Sequence, residues 1–314
     1  MNETPIDPDV VDLLAWVGPP EQVVAADLTA EQHRQGGRDA MAYFTQDAIP
    51  VAVHHVSDET VPGRGGDIPV RIYSPESPTA VIVFMHGGAW MTGDLDMSDF
   101  AMRRLSHDTT SVVVSVDYRL IPEHPFPAGI DDTYDAISWA RNVYSELPLL
   151  VAGDSAGGTL SACAALRARD ENGPRIDGQV LIYPGIDDDI DAPSMVEMGD
   201  EVPISREDLR FLLAQYVGHE PAQGSPYALP GWASSLEGLP PVVIAIAGHD
   251  RLRSSEENFA RRLQEAGVPV TIQLDPELVH AWFDFAPRVP AADRAFTRLT
   301  DSVNDLIHRG ITTA

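Results

Sequence analysis

Short apolar runs recur along this chain too far apart to be joined by hairpins, at 80–85, 111–116, 149–152, 179–183, 242–247 and 270–274. A strand with one wet face alternates apolar and polar residues, so a run that is apolar at both parities is covered on both faces. Stretches of helical period lie between the runs, at about 97–109, 128–145, 156–169, 254–267 and 290–309. The last of these puts Phe296, Leu299, Val303, Leu306 and Ile307 on one face. Strands alternating with helices call for right-handed crossovers and a parallel sheet. The expected fold is therefore α/β, with a mostly parallel central sheet flanked by helices, and 314 residues suffice to bury one large core.

Two parts of the chain depart from this rhythm. Residues 1–47 read as two helices, 10–17 and 29–44, the second opening on Thr29-Ala30-Glu31-Gln32 in the arrangement of a capping box. Extended candidates follow at 51–56 and 68–73, separated by the turn-rich Pro62-Gly63-Arg64-Gly65-Gly66. The interval from Tyr183 to Val242 is too long for one crossover. Its acidic run at 187–191 reads as a solvated loop rather than a metal site, and a helical pattern follows at 205–217. The expectation is a catalytic domain at 48–314 with helical cap elements at 1–47 and 187–238, the second a candidate lid.

The net charge is -27, and all 21 cations are arginine. Such a field repels nucleic acid and anionic lipid surfaces and disfavours strongly anionic ligands. The single cysteine, Cys163, cannot form an intrachain disulfide, and at helical spacing from Leu160 and Leu166 it reads as a small buried hydrophobe. The first residues lack the pattern of a secretory signal, and no run approaches 18 apolar residues. A cytoplasmic protein with no stable membrane insertion is expected.

The chemistry starts at Gly153-Asp154-Ser155-Ala156-Gly157, which ends one apolar run and opens the next helix. A G-x-S-x-G turn in that setting holds its serine in a strained geometry and presents the hydroxyl above the sheet. Ser155 is the candidate nucleophile. At the end of the run 80–85 the chain reads His86-Gly87-Gly88-Ala89-Trp90. Attack of a serine oxygen on a carbonyl creates an oxyanion, at which Gly87, Gly88 and Ala156 can aim backbone N–H groups. His86 then serves to hold the loop.

A serine needs a base and the base an orienting acid. Of ten histidines, most fall in helices, meander strands or the inserted segment. Asp250 and His280 instead follow the strands 242–247 and 270–274, at the sheet edge where functional groups of open α/β sheets collect. The order Ser155, Asp250, His280 is that of α/β-hydrolases. Trp90, Tyr216, Val279 and Trp282 are the candidate pocket residues.

With these residues in place, the chain resembles the hormone-sensitive-lipase-like branch of the α/β-hydrolases, the bacterial family IV esterases. The resemblance is carried by His86-Gly87-Gly88-Ala89-Trp90, by Asp117-Tyr118-Arg119-Leu120-Ile121-Pro122-Glu123-His124-Pro125-Phe126-Pro127-Ala128, and by the segment from Gly153 to Gly158. Tyr183-Pro184-Gly185 and the residues Gly248 to Leu252, followed by Ala266-Gly267-Val268-Pro269, complete it. Two motifs depart from the family pattern. Asp-Pro-Leu-x-Asp is here Asp250-Arg251-Leu252-Arg253-Ser254, and the Gly-Phe after the histidine is here Ala281-Trp282.

The resemblance implies a serine carboxylesterase acting on small apolar esters of short to medium acyl chain, through an acyl-enzyme and without metal or organic cofactor. Amide, carbamate or lactone hydrolysis and deacetylation are alternatives using the same machinery. A non-catalytic binding module is the alternative from a different class. Strand 270–274 reads as a sheet edge, edges invite pairing, and the resemblance points to dimers in similar proteins, so a homodimer is one assembly open to the chain, whose oligomeric state the sequence leaves open.

Overall fold

A computed structural model describes residues 4–17, 25–199, 202–218 and 222–312. Eight strands form one sheet: β1 His55–Gly63, β2 Gly66–Ser74, β3 Ala80–Met85, β4 Ser111–Val116, β5 Leu149–Asp154, β6 Gly178–Ile182, β7 Val242–His249 and β8 Val270–Val279. Their order across the sheet is β1-β2-β4-β3-β5-β6-β7-β8. β1 and β2 form an antiparallel hairpin and β2 runs antiparallel to β4, while every pairing from β4 through β8 is parallel. The sheet is thus mostly parallel, as the run pattern predicts.

Every residue of β3, β4, β5 and β6 is buried, because helices cover both faces. On one side lie α4 (Ala128–Val143), α5 (Ala156–Asp170) and, against β7, α8 (Arg253–Glu265); on the other lie α3 (Leu95–Thr109) and α9 (Pro290–Thr312). Helix α5 is buried from Ala156 through Leu166, which is why its sequence is apolar or small all round and not amphipathic. Helix α9 is amphipathic: Phe296, Leu299, Val303 and Ile307 are buried and Leu306 packs beside them. Each such side chain contributes about 1.5–3 kcal/mol by leaving water.

Two helices precede the sheet, α1 (Pro8–Val17) and α2 (Ala30–Thr45), and the segment between β6 and β7 carries two more, α6 (Pro193–Glu197) and α7 (Arg206–Val217). The predicted capping box of α2 is present: the Thr29 hydroxyl accepts from the Gln32 N–H, and the Gln32 side chain accepts from the Thr29 N–H. The expected strand 51–56 is displaced, since β1 begins only at His55. β1 buries Val61 alone, so no apolar period announces it. At the far edge β8 leaves Ile272 and Leu274 exposed. No helix among the described residues is long and apolar enough to cross a membrane.

Candidate active site

The turn between β5 and α5 is built around one serine. Ser155 holds φ 50° and ψ -118°, a geometry that costs any residue with a Cβ and persists only where its surroundings enforce it. Backbone bonds enforce it here: the Ser155 N–H donates to the Ile182 carbonyl at 2.8 Å, and the Ser155 carbonyl accepts from the Thr159 N–H at 3.0 Å. The glycines permit it. A Cβ on Gly157 would fall on the Met85 carbonyl and one on Gly153 on the Gly157 backbone, so strand and helix approach this closely only because both residues lack side chains.

His280 Nε2 lies 2.9 Å from Ser155 Oγ, and His280 Nδ1 lies 2.6 Å from Asp250 Oδ2. With Nδ1–H donated to the carboxylate, Nε2 is left to accept the serine proton. The other carboxylate oxygen, Oδ1 of Asp250, accepts from the Leu252 N–H at 2.9 Å. The turn into α8 and the imidazole therefore each take one oxygen, and together they fix the carboxylate plane. Asp250 and His280 are 2% and 6% exposed, so the pair is shielded from water, where a charge-assisted bond is strongest.

The loop after β3 corrects one expectation. The Gly87 N–H donates to Asp154 Oδ1 at 2.8 Å, so it is committed to a carboxylate and is not an oxyanion donor. Gly88 at φ 105°, Ala89 at φ 52° and Trp90 at φ 59° then carry the chain through a left-handed stretch. Among the described residues the N–H groups of Gly88, Ala89 and Ala156 have no protein acceptor, and all three residues line the cavity beside Ser155. The Ala89 N–H is the one of these three that the sequence did not single out. His86 holds the loop: its Nδ1 lies 2.7 Å from the Gly87 carbonyl, its ring stacks on Tyr118 at 4.4 Å, and Tyr118 Oη–H donates to the His86 carbonyl at 2.8 Å. Burial pushes the His86 pKa down, which keeps this ring neutral.

The carboxyl groups of Asp154, Asp187 and Asp284 line the cavity. Burial raises the Asp154 pKa well above the usual range; the neighbouring Asp284 raises it further and the Gly87 N–H opposes. Burial lifts Asp284 from 3.8 to about 6, with His280 pulling it back.

The cavity itself has a volume of about 310 Å³, and its wall includes Trp90, Met41, Phe44, Met97, Leu209 and Leu213. Trp90 joins the wall as expected; Tyr216, Val279 and Trp282 do not. Tyr216 lies behind Trp90, stacked face to face at 4.0 Å, and Val279 and Trp282 are fully buried in the core beside Tyr183 and Phe283. In their place α2 supplies His33, Gly37, Ala40, Met41 and Phe44. Those five positions form one helical stripe, and that spacing was the available signal. Among the described residues no group of three or more His, Cys, Asp or Glu side chains could hold a metal ion.

Residues 82–284 match the family model of the alpha/beta hydrolase fold. The carboxylesterase NlhH of Mycobacterium tuberculosis (strain ATCC 25618 / H37Rv) is 40% identical over 253 residues, 77% of this chain and 79% of that protein. The esterase LipI of the same organism is 38% identical over 286 residues, 87% and 89% of the two chains. Among solved structures, an esterase of Pyrobaculum calidifontis superposes with a TM-score of 0.86 at 31% identity, covering 96% of this chain and 99% of that one.

A serine raised on a strand-to-helix turn, with its hydrogen-bonded partners delivered from the ends of two later parallel strands, is the arrangement that defines α/β-hydrolases as a class. Sequence and superposition agree with that geometry over most of the chain. The chain belongs to the α/β-hydrolase family, in its hormone-sensitive-lipase-like branch, and is a hydrolase.

Proposed function

We propose that the protein is a serine carboxylesterase that cleaves short- to medium-chain esters through an acyl-enzyme. The observation that carries this is the continuous relay from Ser155 Oγ through His280 to Asp250, at 2.9 Å and 2.6 Å. Ser155 Oγ attacks the ester carbonyl as His280 Nε2 takes its proton, and the N–H groups of Gly88, Ala89 and Ala156 receive the oxyanion. Collapse of the tetrahedral species breaks the bond to the alcohol oxygen, which leaves with the proton from Nε2. Water then repeats the sequence: His280 takes its proton, hydroxide adds to the acyl carbon, and Ser155 departs with that proton restored. Asp250 holds the tautomer and stabilises the imidazolium in both halves.

The cavity supports this substrate range. A volume of about 310 Å³ is at the small end for ligand pockets, and its apolar wall suits an alkyl chain. Residues 1–47 and 187–238 act as cap elements, since α2 and α7 supply part of that wall. Hydrolysis of amides, carbamates or lactones and deacetylation would use the same relay, and no contact favours them over esters. A binding module that had lost its base would lack the bond from His280 to Ser155. Initial rates on p-nitrophenyl butyrate for the protein and its Ser155→Ala variant test the assignment, with loss of nearly all activity expected on substitution.

A further inference from the structure

We propose that Arg251 is a positioning residue that ties the segment between β6 and β7 to the loop bearing Asp250, so that one wall of the cavity and the acid of the relay are held as a single piece. This rests on the assignment of Ser155, His280 and Asp250 made above and adds how the wall is set.

Arg251 directly follows Asp250 and stands where the Asp-Pro-Leu-x-Asp pattern has a proline. Proline could give no side-chain hydrogen bond there. The arginine gives four to described residues. Its Nε donates to the Ile204 carbonyl at 2.9 Å, Nη1 to the Met195 and Met198 carbonyls at 2.9 and 2.7 Å, and Nη2 to the Gly199 carbonyl at 2.8 Å. The residue is 7% exposed, and a rigid planar fork reading several carbonyls at once fixes their mutual positions in a way that a single ammonium cannot. Two of the carbonyls, those of Met195 and Met198, belong to the C-terminal end of α6, where helix carbonyls lack intrahelical donors and a cation is favoured.

Neighbouring bonds make the tie two-sided. Ser194 Oγ–H donates to the Arg251 carbonyl at 2.6 Å, the Ser194 N–H donates to Ser254 Oγ at 2.9 Å, and the Ser254 N–H donates to Ser194 Oγ at 3.0 Å. Leu252 packs with Ala192, Met195 and Leu209. Ile204, Leu209 and Leu252 in turn line the main cavity, and a small cleft brings Ile204 and Leu209 against Asp250 and His280. Successive residues thus orient the base, clamp the inserted segment and form the wall. Without the fork the carbonyls of Met195, Met198, Gly199 and Ile204 would need other donors, and their tie to the Asp250 loop would be lost.

The test compares the protein with Arg251→Met, which keeps the buried stem and removes the fork, and with Arg251→Lys, which keeps the charge. Three readings are taken: backbone hydrogen exchange, steady-state kinetics on p-nitrophenyl acetate and hexanoate, and labelling of Ser155 by a serine-directed phosphonate. In Arg251→Met, exchange between Met195 and Ile204 should quicken about tenfold or more while β3 to β7 keep their protection. KM for the hexanoate should rise about tenfold while kcat for the acetate changes less than about twofold, and Arg251→Lys should fall between. Unchanged exchange in that segment overturns the proposal. So does a parallel loss on both esters with faster exchange throughout the sheet, which would make Arg251 only a part of the core. If the unaltered protein is not labelled at all, the serine assignment fails instead, and the exchange measurement still decides the clamp.

Discussion

The bond from Gly87 N–H to Asp154 gives the residue before the nucleophile a task of its own, since it anchors the loop whose next two N–H groups are proposed to receive the oxyanion. Asp154→Ala should lower kcat on p-nitrophenyl butyrate by about tenfold or more with KM little changed, whereas Asp154→Asn, which keeps an acceptor oxygen, should retain most of the rate. Asp284 carries a pH prediction. Burial raises its folded-state pKa from 3.8 to about 6, and His280 pulls it back. A carboxyl with a raised folded pKa contributes stability below its unfolded value, and that stability is lost as pH rises through the folded one. Asp284→Asn should therefore be more resistant to urea than the unaltered protein above about pH 7, with the difference gone below 3.8. At this scale the sequence identified the three residues of the relay, because strand-end position and chain order narrow them to one set. It did not tell which of two adjacent glycine N–H groups was already engaged, and it did not separate Trp90, in the wall, from Val279 and Trp282, packed in the core. Hydrophobic character alone does not distinguish those environments.

The helices and buried strands were legible where burial imposes a period. β3 and β4 fall where their apolar runs do, and α2 begins at its capping box. β1 was not legible, because a hairpin strand at the sheet edge with one buried side chain is specified by its ladder to β2 and not by its own pattern. The role of α2 in the cavity also escaped, since a helical stripe predicts that one face is covered but not that it covers a pocket. This gives an element-scale prediction. Thr29→Ala removes the cap of α2 and should cost about 1 kcal/mol of stability, read by urea unfolding. Because Met41 and Phe44 belong to the cavity wall, the same change should raise KM for a butyrate ester more than it lowers kcat.

Over the whole molecule, the net charge of -27 extends to the site: Asp187 and Asp284 line the cavity, and no arginine among the described residues does. An ester with a carboxylate on its acyl chain should show kcat/KM at least about tenfold below that of its neutral isostere, and the gap should narrow as added salt screens the field. Equal values at low ionic strength would show that the field does not reach the entrance. The α/β class was evident from alternating runs, but the order of the strands, with β4 placed between β2 and β3, depends on long-range pairing that no local pattern records. The relay from Ser155 to Asp250 depends on that order, and the most direct measurement on it is the hydrolysis of p-nitrophenyl butyrate by the purified protein and by Ser155→Ala. A fall of about a thousandfold or more in kcat, with far-ultraviolet circular dichroism unchanged, is the expected result. A folded variant that keeps the original rate would contradict the account.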